Sequence, residues 1–89
     1  MDVVWTEYLK YRAALRRFDL HEVERVLRSS KERYMDTATD RRIAVGRCGT
    51  TLVLIPYETD GDTLTPITVH ATTRQQIEFR IRTGRFVHE

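Results

Sequence analysis

The chain has 89 residues, of which 40% are apolar and 31% charged, and its formal net charge is +2. This balance predicts one globular domain spanning residues 1–89 and excludes an intrinsically disordered chain. No apolar run approaches the roughly 20 residues of a membrane-spanning helix, and the lone Cys48 cannot form an internal disulfide, so we expect a cytoplasmic protein that does not contact membranes.

The N-terminal third predicts a short strand followed by two helices. Residues 2–5 are β-prone, and Thr6 can cap a helix that continues to about Arg17. The spacing of three and four residues predicts one apolar stripe on this helix, made of Val4, Tyr8, Tyr11, Leu15 and Phe18. Asp19 and Glu22 form an acidic capping box for a second helix that ends near residue 30.

From Arg33 onward the apolar period changes to two, which indicates strands. We predict strands over 33–36, 41–47, 51–58 and 64–71, with turns at Gly49 and Gly61. A final helix is predicted over 73–83, ending at Gly84 and burying Ile77 and Ile81. Phe79 and Arg82 then form a candidate partner-binding surface, unless the tail 85–87 folds back over Phe79.

Alternation along the strands predicts which side chains share a face. If Ile43, Val45, Ile67 and Val69 pack beneath the helices, Arg42 and His70 point together to an open face. Arg47 falls at a strand end, from which it can reach either side.

The segment from His70 to Arg74 joins the last strand to the last helix. A histidine, an arginine and a helix N-terminus within about five residues favour a phosphate site, because the free backbone N–H groups of a first helical turn attract anions. A strand-to-helix corner with polar caps is equally an ordinary scaffold.

The positive charge is almost entirely arginine, with thirteen Arg against two Lys. The planar guanidinium suits bidentate contact with phosphate and stacking on bases. A binding role predicts that the arginines cluster on one face, whereas a G- and C-rich genome predicts that they are spread evenly.

Two stretches resemble BrnT-type toxins of the RelE/ParE superfamily, or a closely related family of unassigned function. The first is Val3-Val4-Trp5-Thr6-Glu7 with the basic helix and Asp-Leu helix start that follow. The second comprises Arg41-Arg42-Ile43-Ala44-Val45-Gly46-Arg47, the Gly hairpin, and Thr68-Val69-His70-Ala71-Thr72-Thr73-Arg74. The resemblance implies an α+β fold: a small curved antiparallel sheet with two N-terminal helices and a C-terminal helix packed on one face.

The resemblance also implies the toxin half of a type II toxin–antitoxin system, a ribonuclease that cleaves mRNA, free or on ribosomes, without a metal or other cofactor. Its partner would be a cognate antitoxin, and the chain could form a homodimer. Arg74 matches the arginine of the closing Ser/Thr-x-Arg pattern, and Arg42 or Arg47 matches basic positions of the sheet. The tyrosine that RelE-type members carry near the C-terminus is absent, and Phe86 cannot replace its acid–base chemistry.

We therefore expect His70, Arg74 and Arg42 as catalytic residues, since cleavage needs proton transfer and positive charge on the phosphorane. Candidate RNA contacts are Arg47, Tyr57, Arg80 and Arg12. No Cys/His cluster or nucleotide-binding motif supports a metal or cofactor enzyme. The alternatives are a ParE-like toxin that binds gyrase without catalysis and an interaction module without enzymatic activity.

Overall fold

The computed structural model describes residues 1–89 and has three helices and seven strands. In chain order these are β1 (Asp2–Val3), α1 (Glu7–Leu15), α2 (Leu20–Ser29), β2 (Glu32–Asp36), β3 (Arg41–Cys48), β4 (Thr51–Asp60), β5 (Thr63–Pro66), β6 (His70–Ala71), α3 (Arg74–Arg82) and β7 (Phe86–His88). The predicted α+β class, a small sheet with three helices, is confirmed. None of the three helices is long and apolar enough to cross a membrane.

The strands form one open sheet in the order β1-β5-β4-β3-β2-β7, and β6 pairs with β4. The pairs β2–β3, β3–β4 and β4–β5 are antiparallel, as expected for consecutive strands joined by turns. β1 pairs in parallel with β5, which makes the sheet mixed.

Local signals set the helix starts. The side chains of Thr6, Asp19 and Thr73 accept hydrogen bonds from the backbone N–H groups of Leu9, His21 and Gln76, at 3.1, 2.8 and 3.1 Å. Each bond satisfies a donor that has no partner within the helix, so the N-caps predicted at Thr6 and Asp19 are confirmed, and Thr73 is the N-cap of α3.

The helices cover both faces of the sheet. α1 and α2 pack on one face of the sheet. We call the core between these two helices and the sheet the α1/α2 layer; it is built around Leu9, Val23, Val26, Leu27, Ala44, Val53, Ile55, Tyr57 and Val69. α3 packs on the opposite face over the α3 layer, built from Tyr34, Ile43, Val45, Leu52, Leu54, Ile77 and Phe86. This arrangement corrects the expectation that all three helices share one face. The cause is visible in β4, where the continuous buried run Leu52–Ile55 supplies side chains to both layers.

The buried side of α1 differs from the prediction. Leu9 and Ala13 are buried, whereas Val4, Tyr8, Tyr11 and Leu15 are exposed. The exposed residues and the buried pair Leu9 and Ala13 both follow helical spacing. The small Ala13 lets α1 approach the sheet closely on its own side. The stripe predicted to be buried is therefore a solvent-facing apolar surface.

The strand predicted over 64–71 is interrupted. Residues 67–69 lie between β5 and β6, so alternation does not carry over from one strand to the other. As a result His70 is paired with Leu54, which faces the α3 layer, while Arg42 is paired with Tyr57, which faces the α1/α2 layer. His70 and Arg42 point to opposite sides of the sheet, contrary to the prediction.

Candidate active site

The site is centred on Glu32, at the start of β2. Register pairs Glu32 with Val45, so its side chain faces the α3 layer, where the first turn of α3 brings Arg74 to it. Nη1 of Arg74 donates to the two carboxylate oxygens of Glu32, at 2.8 and 2.6 Å. The two residues are 42 positions apart in sequence.

Tyr34 and His88 share this face with Glu32. The Tyr34 hydroxyl donates to Oε2 of Glu32 at 2.7 Å, and its ring stacks on Phe86 with 5.5 Å between ring centroids. His88 is the register partner of Tyr34 across β2 and β7, and the two ring centroids are 5.1 Å apart. The last strand therefore brings an imidazole beside the carboxylate, the phenol and the guanidinium.

Glu32, Tyr34 and His88 line a cleft of about 520 Å³. The rest of its lining is Ser30, Lys31, Arg33 and Glu89. His88 is exposed and Arg74 has 55% of its side chain exposed, so both can meet a ligand entering from solvent.

The environment keeps Glu32 ionised. Burial opposes ionisation, but hydrogen bonds from Arg74 and Tyr34, with the charges of Arg74 and His88, prevail and lower its pKa. Burial, together with the hydrogen bond to Glu32 and its negative charge, raises the pKa of Tyr34 to about 12. Tyr34 therefore stays protonated and serves as a donor that holds the carboxylate in place.

A carboxylate, an imidazole and an exposed guanidinium are one set of groups that can carry out metal-independent phosphodiester cleavage. The carboxylate can take a proton from a hydroxyl, the imidazole can give one to a leaving oxygen, and the guanidinium can stabilise charge that develops on phosphorus oxygens.

The structure divides the predicted catalytic residues among three places. Arg74 is paired with Glu32, which lines the cleft. His70 is half-buried on the same face of the sheet, in a separate smaller cavity that Arg80 also lines. Arg42 is on the opposite face, where its guanidinium pairs with Glu89 at 2.5 Å. The predicted grouping of His70, Arg74 and Arg42 is therefore not formed.

The candidate RNA contacts also separate. Burial is the main cause that lowers the pKa of the His70 imidazole, and the charges of Arg12, Arg16 and Arg80 lower it further. Arg12 is therefore near His70. Arg47 is exposed at the end of β3 and donates to the Thr50 carbonyl at 3.1 Å.

Tyr57 is not a surface residue. It is 3% exposed in the α1/α2 layer, and its hydroxyl accepts a hydrogen bond from Arg33 at 3.0 Å. Its large ring faces the helices because β4 is covered on both sides, so the structure leaves no ring face for RNA.

Phe79 and Arg82, the candidate partner-binding residues, lie together on an exposed part of α3. Phe79 is 57% exposed, with the Arg82 guanidinium 5.9 Å from its ring centroid. The tail does not cover Phe79, because it pairs with β2 as β7 and buries Phe86 in the α3 layer instead.

Sequence reasoning missed Glu32, Tyr34 and His88. The alternation of Glu32, Tyr34 and Asp36 was an available signal that these side chains share a face. No local pattern shows that His88 pairs with Tyr34, because that contact depends on a strand of three residues at a sheet edge.

Comparison of the chain with protein-family models, curated proteins and solved structures finds no match.

Proposed function

We propose that the protein is a metal-independent endoribonuclease, the toxin component of a BrnT-like system within the RelE/ParE superfamily, acting on cytoplasmic mRNA. The observation that supports the activity is that Glu32 and His88 line one open cleft, with Arg74 hydrogen-bonded to the Glu32 carboxylate. The assignment to a toxin class comes from the sequence resemblance described above.

In the proposed reaction Glu32 removes the proton of a ribose 2′-hydroxyl. The 2′-oxygen attacks the adjacent phosphorus, and the bond from phosphorus to the 5′-oxygen breaks. His88, in its protonated form, donates the proton that the leaving 5′-oxygen requires. The products are a 2′,3′-cyclic phosphate and a 5′-hydroxyl, so the two proton transfers and the two P–O bonds balance.

Arg74 stabilises the phosphorane in this scheme. In the free protein its guanidinium is paired with Glu32, and a substrate phosphate would compete for the same donors. Preorganised donors aimed at developing charge are worth about 3–4 kcal/mol each in enzymes that have been tested by mutation. Tyr34 holds the Glu32 carboxylate and is a positioning residue.

A non-catalytic, ParE-like protein-binding toxin is the second candidate. The exposed Phe79 with Arg82, and the exposed stripe of Tyr8, Tyr11 and Leu15 on α1, favour it because such apolar surfaces commonly mark protein partners. In the nuclease proposal the Phe79–Arg82 surface would bind the antitoxin or a second copy of the chain.

The test is incubation of the purified protein with labelled RNA in EDTA, with free RNA and with mRNA on ribosomes. We expect cleavage that leaves 2′,3′-cyclic phosphate and 5′-hydroxyl ends. A Glu32→Gln preparation, purified identically, controls for contaminating nucleases. Growth arrest on expression without RNA decay would favour the protein-binding toxin, and 3′-hydroxyl ends would contradict the proposed chemistry.

A further inference from the structure

A second cavity, of about 230 Å³, lies on the same face of the sheet as the candidate active site. Its apolar floor is formed by Ile43, Leu54 and Phe86, and its polar wall includes Thr68, His70 and Arg80. The stacked pair of Tyr34 and Phe86 connects the two places, since Tyr34 lines the cleft and Phe86 lines this cavity.

Positive charge in this cavity is incompletely neutralised. Three arginines line it, Arg41, Arg80 and Arg85, against one carboxylate, Asp36. Arg85 donates to both oxygens of Asp36, at 3.1 and 3.2 Å, and Arg41 pairs with Glu58 outside the cavity, at 3.6 Å. Arg80 makes no ion pair and lies over the Phe86 ring, 5.4 Å from its centroid.

One buried polar atom at this cavity has no hydrogen-bond partner in the chain. It is Oγ1 of Thr68, a residue that lines the cavity together with His70 and Arg80. Buried polar groups are ordinarily satisfied, so an unpartnered hydroxyl at a cationic cavity points to a ligand that accepts hydrogen bonds.

We propose that this cavity is a phosphate-binding subsite, contacted by Arg80, Thr68 and His70, that holds a backbone phosphodiester of the RNA next to the scissile one. The inference rests on the proposed ribonuclease function for the identity of its ligand. A phosphodiester would give Arg80 the anionic partner that it does not have in the free protein. Its oxygens would also accept a hydrogen bond from the Thr68 hydroxyl, which has no partner in the chain.

The experiment is an NMR titration of the imidazole resonances against pH, in a Glu32→Gln background that keeps RNA intact. One arm adds inorganic phosphate and the other adds a tetranucleotide with internal phosphodiesters only. In both arms we expect a saturable rise in the His70 pKa, because a bound anion offsets the charges of Arg12, Arg16 and Arg80. A response to inorganic phosphate alone would contradict the assignment to backbone phosphodiesters.

Three variants sharpen the result. Arg80→Gln should weaken phosphate binding about tenfold or more, because it removes a charge-assisted hydrogen bond to the anion. Arg28→Gln, which removes a charge from the exposed side of α2, is the matched control and should leave binding unchanged. Thr68→Val is expected to weaken binding while leaving the melting temperature equal or higher, because its hydroxyl is unpaired in the free protein.

The two proposals fail separately. Phosphate binding at His70 without RNA cleavage by the unmodified protein would retain the subsite and remove the nuclease. An unchanged His70 pKa in both arms, or equal affinities for the Arg80→Gln and Arg28→Gln variants, would overturn the subsite whatever the nuclease assay shows.

Discussion

Arg74 donates from a single nitrogen, Nη1, to both carboxylate oxygens of Glu32, at 2.8 and 2.6 Å. This contact joins the first turn of α3 to the first residue of β2 and orients both charges before any ligand binds. Without a ligand, the charges of Arg74 and Glu32 neutralise each other. In the proposed reaction an RNA phosphate would therefore have to replace the Glu32 carboxylate as the partner of the Arg74 guanidinium.

Replacement of Glu32 by Gln tests its role as the proton acceptor. Gln keeps the size of the side chain and an oxygen that can accept from Tyr34, but it cannot take up a proton. We expect the cleavage rate to fall by about 10²–10⁴-fold, the usual contribution of a general base. Glu24→Gln, which removes the carboxylate paired with Arg28 at 2.7 Å on α2, is the matched control and should cleave at the original rate.

Replacement of Tyr34 by Phe should change the pH dependence of cleavage. The Tyr34 hydrogen bond lowers the pKa of Glu32, so its removal raises that pKa and moves the acid limb of the kcat/KM profile to higher pH. The Phe ring can still stack on Phe86, which separates this effect from a loss of packing. Tyr8→Phe, at an exposed position on α1, should leave the profile in place. An acid limb that does not move in Tyr34→Phe would exclude Glu32 as the titrating base.

Asp36 should contribute to stability in a pH-dependent way. Burial disfavours its ionised form, but the hydrogen bonds from Arg85 and from the backbone N–H of Ala38 prevail and lower its pKa. A lowered folded-state pKa gives stability that is present above the unfolded pKa of about 3.9 and is lost as the pH falls through the folded value.

Asp36→Asn should therefore cost about 1–3 kcal/mol of unfolding free energy at pH 7. The difference from the unmodified chain should shrink at pH 3, which is below the unfolded pKa, because the carboxyl is then largely protonated in the unfolded chain. Urea denaturation at the two pH values measures both quantities. An equal difference at pH 7 and pH 3 would show that the charge of Asp36 is not what stabilises the fold.

Gly46 tests the packing of α2 on the sheet. A Cβ at this position would lie 2.7 and 2.9 Å from the two methyl carbons of Val26. Gly46→Ala should destabilise by about 1–3 kcal/mol through overpacking, measured by chemical denaturation. Val26→Ala removes the obstructing methyls, so the double variant should be more stable than the sum of the single effects predicts. Strict additivity would mean that the two residues do not meet.

Cys48 should be chemically inert in the folded protein. Burial, followed by the charge of Glu22, raises the pKa of this thiol to about 11, and the residue is 6% exposed. Because the thiolate is the reactive form, iodoacetamide at pH 8 should modify Cys48 only after urea unfolds the chain. Rapid modification without urea would indicate that the edge of the α1/α2 layer opens readily.

The features predicted correctly from the sequence are those fixed by a few neighbouring residues. The N-caps are of this kind, because the capping side chain accepts from an N–H only two or three residues ahead in the sequence. Thr6, Asp19 and Thr73 all do so. The side of α1 that is buried could not be read in this way. Both stripes of that helix have helical spacing, and only the packing of Ala13 and Leu9 against the sheet decides between them.

The site depended on contacts between distant segments. Arg74 was predicted because a helix start and a family pattern coincide there, whereas Glu32 and His88 were not. The interruption at 67–69 mattered most, because a change in strand continuity reverses the face on which a side chain lies. For that reason the prediction placed His70 beside Arg42, although the two lie on opposite faces of the sheet.

The two-sided covering of the sheet has a practical consequence for protein engineering. The α1/α2 layer contains the larger set of buried side chains, and the α3 layer carries Tyr34 and Phe86 beside the two cavities. Heat tolerance can therefore be selected in the former and ligand preference of the proposed site in the latter. Improvements from the two separate mutant libraries should combine additively wherever the altered residues do not touch across β4.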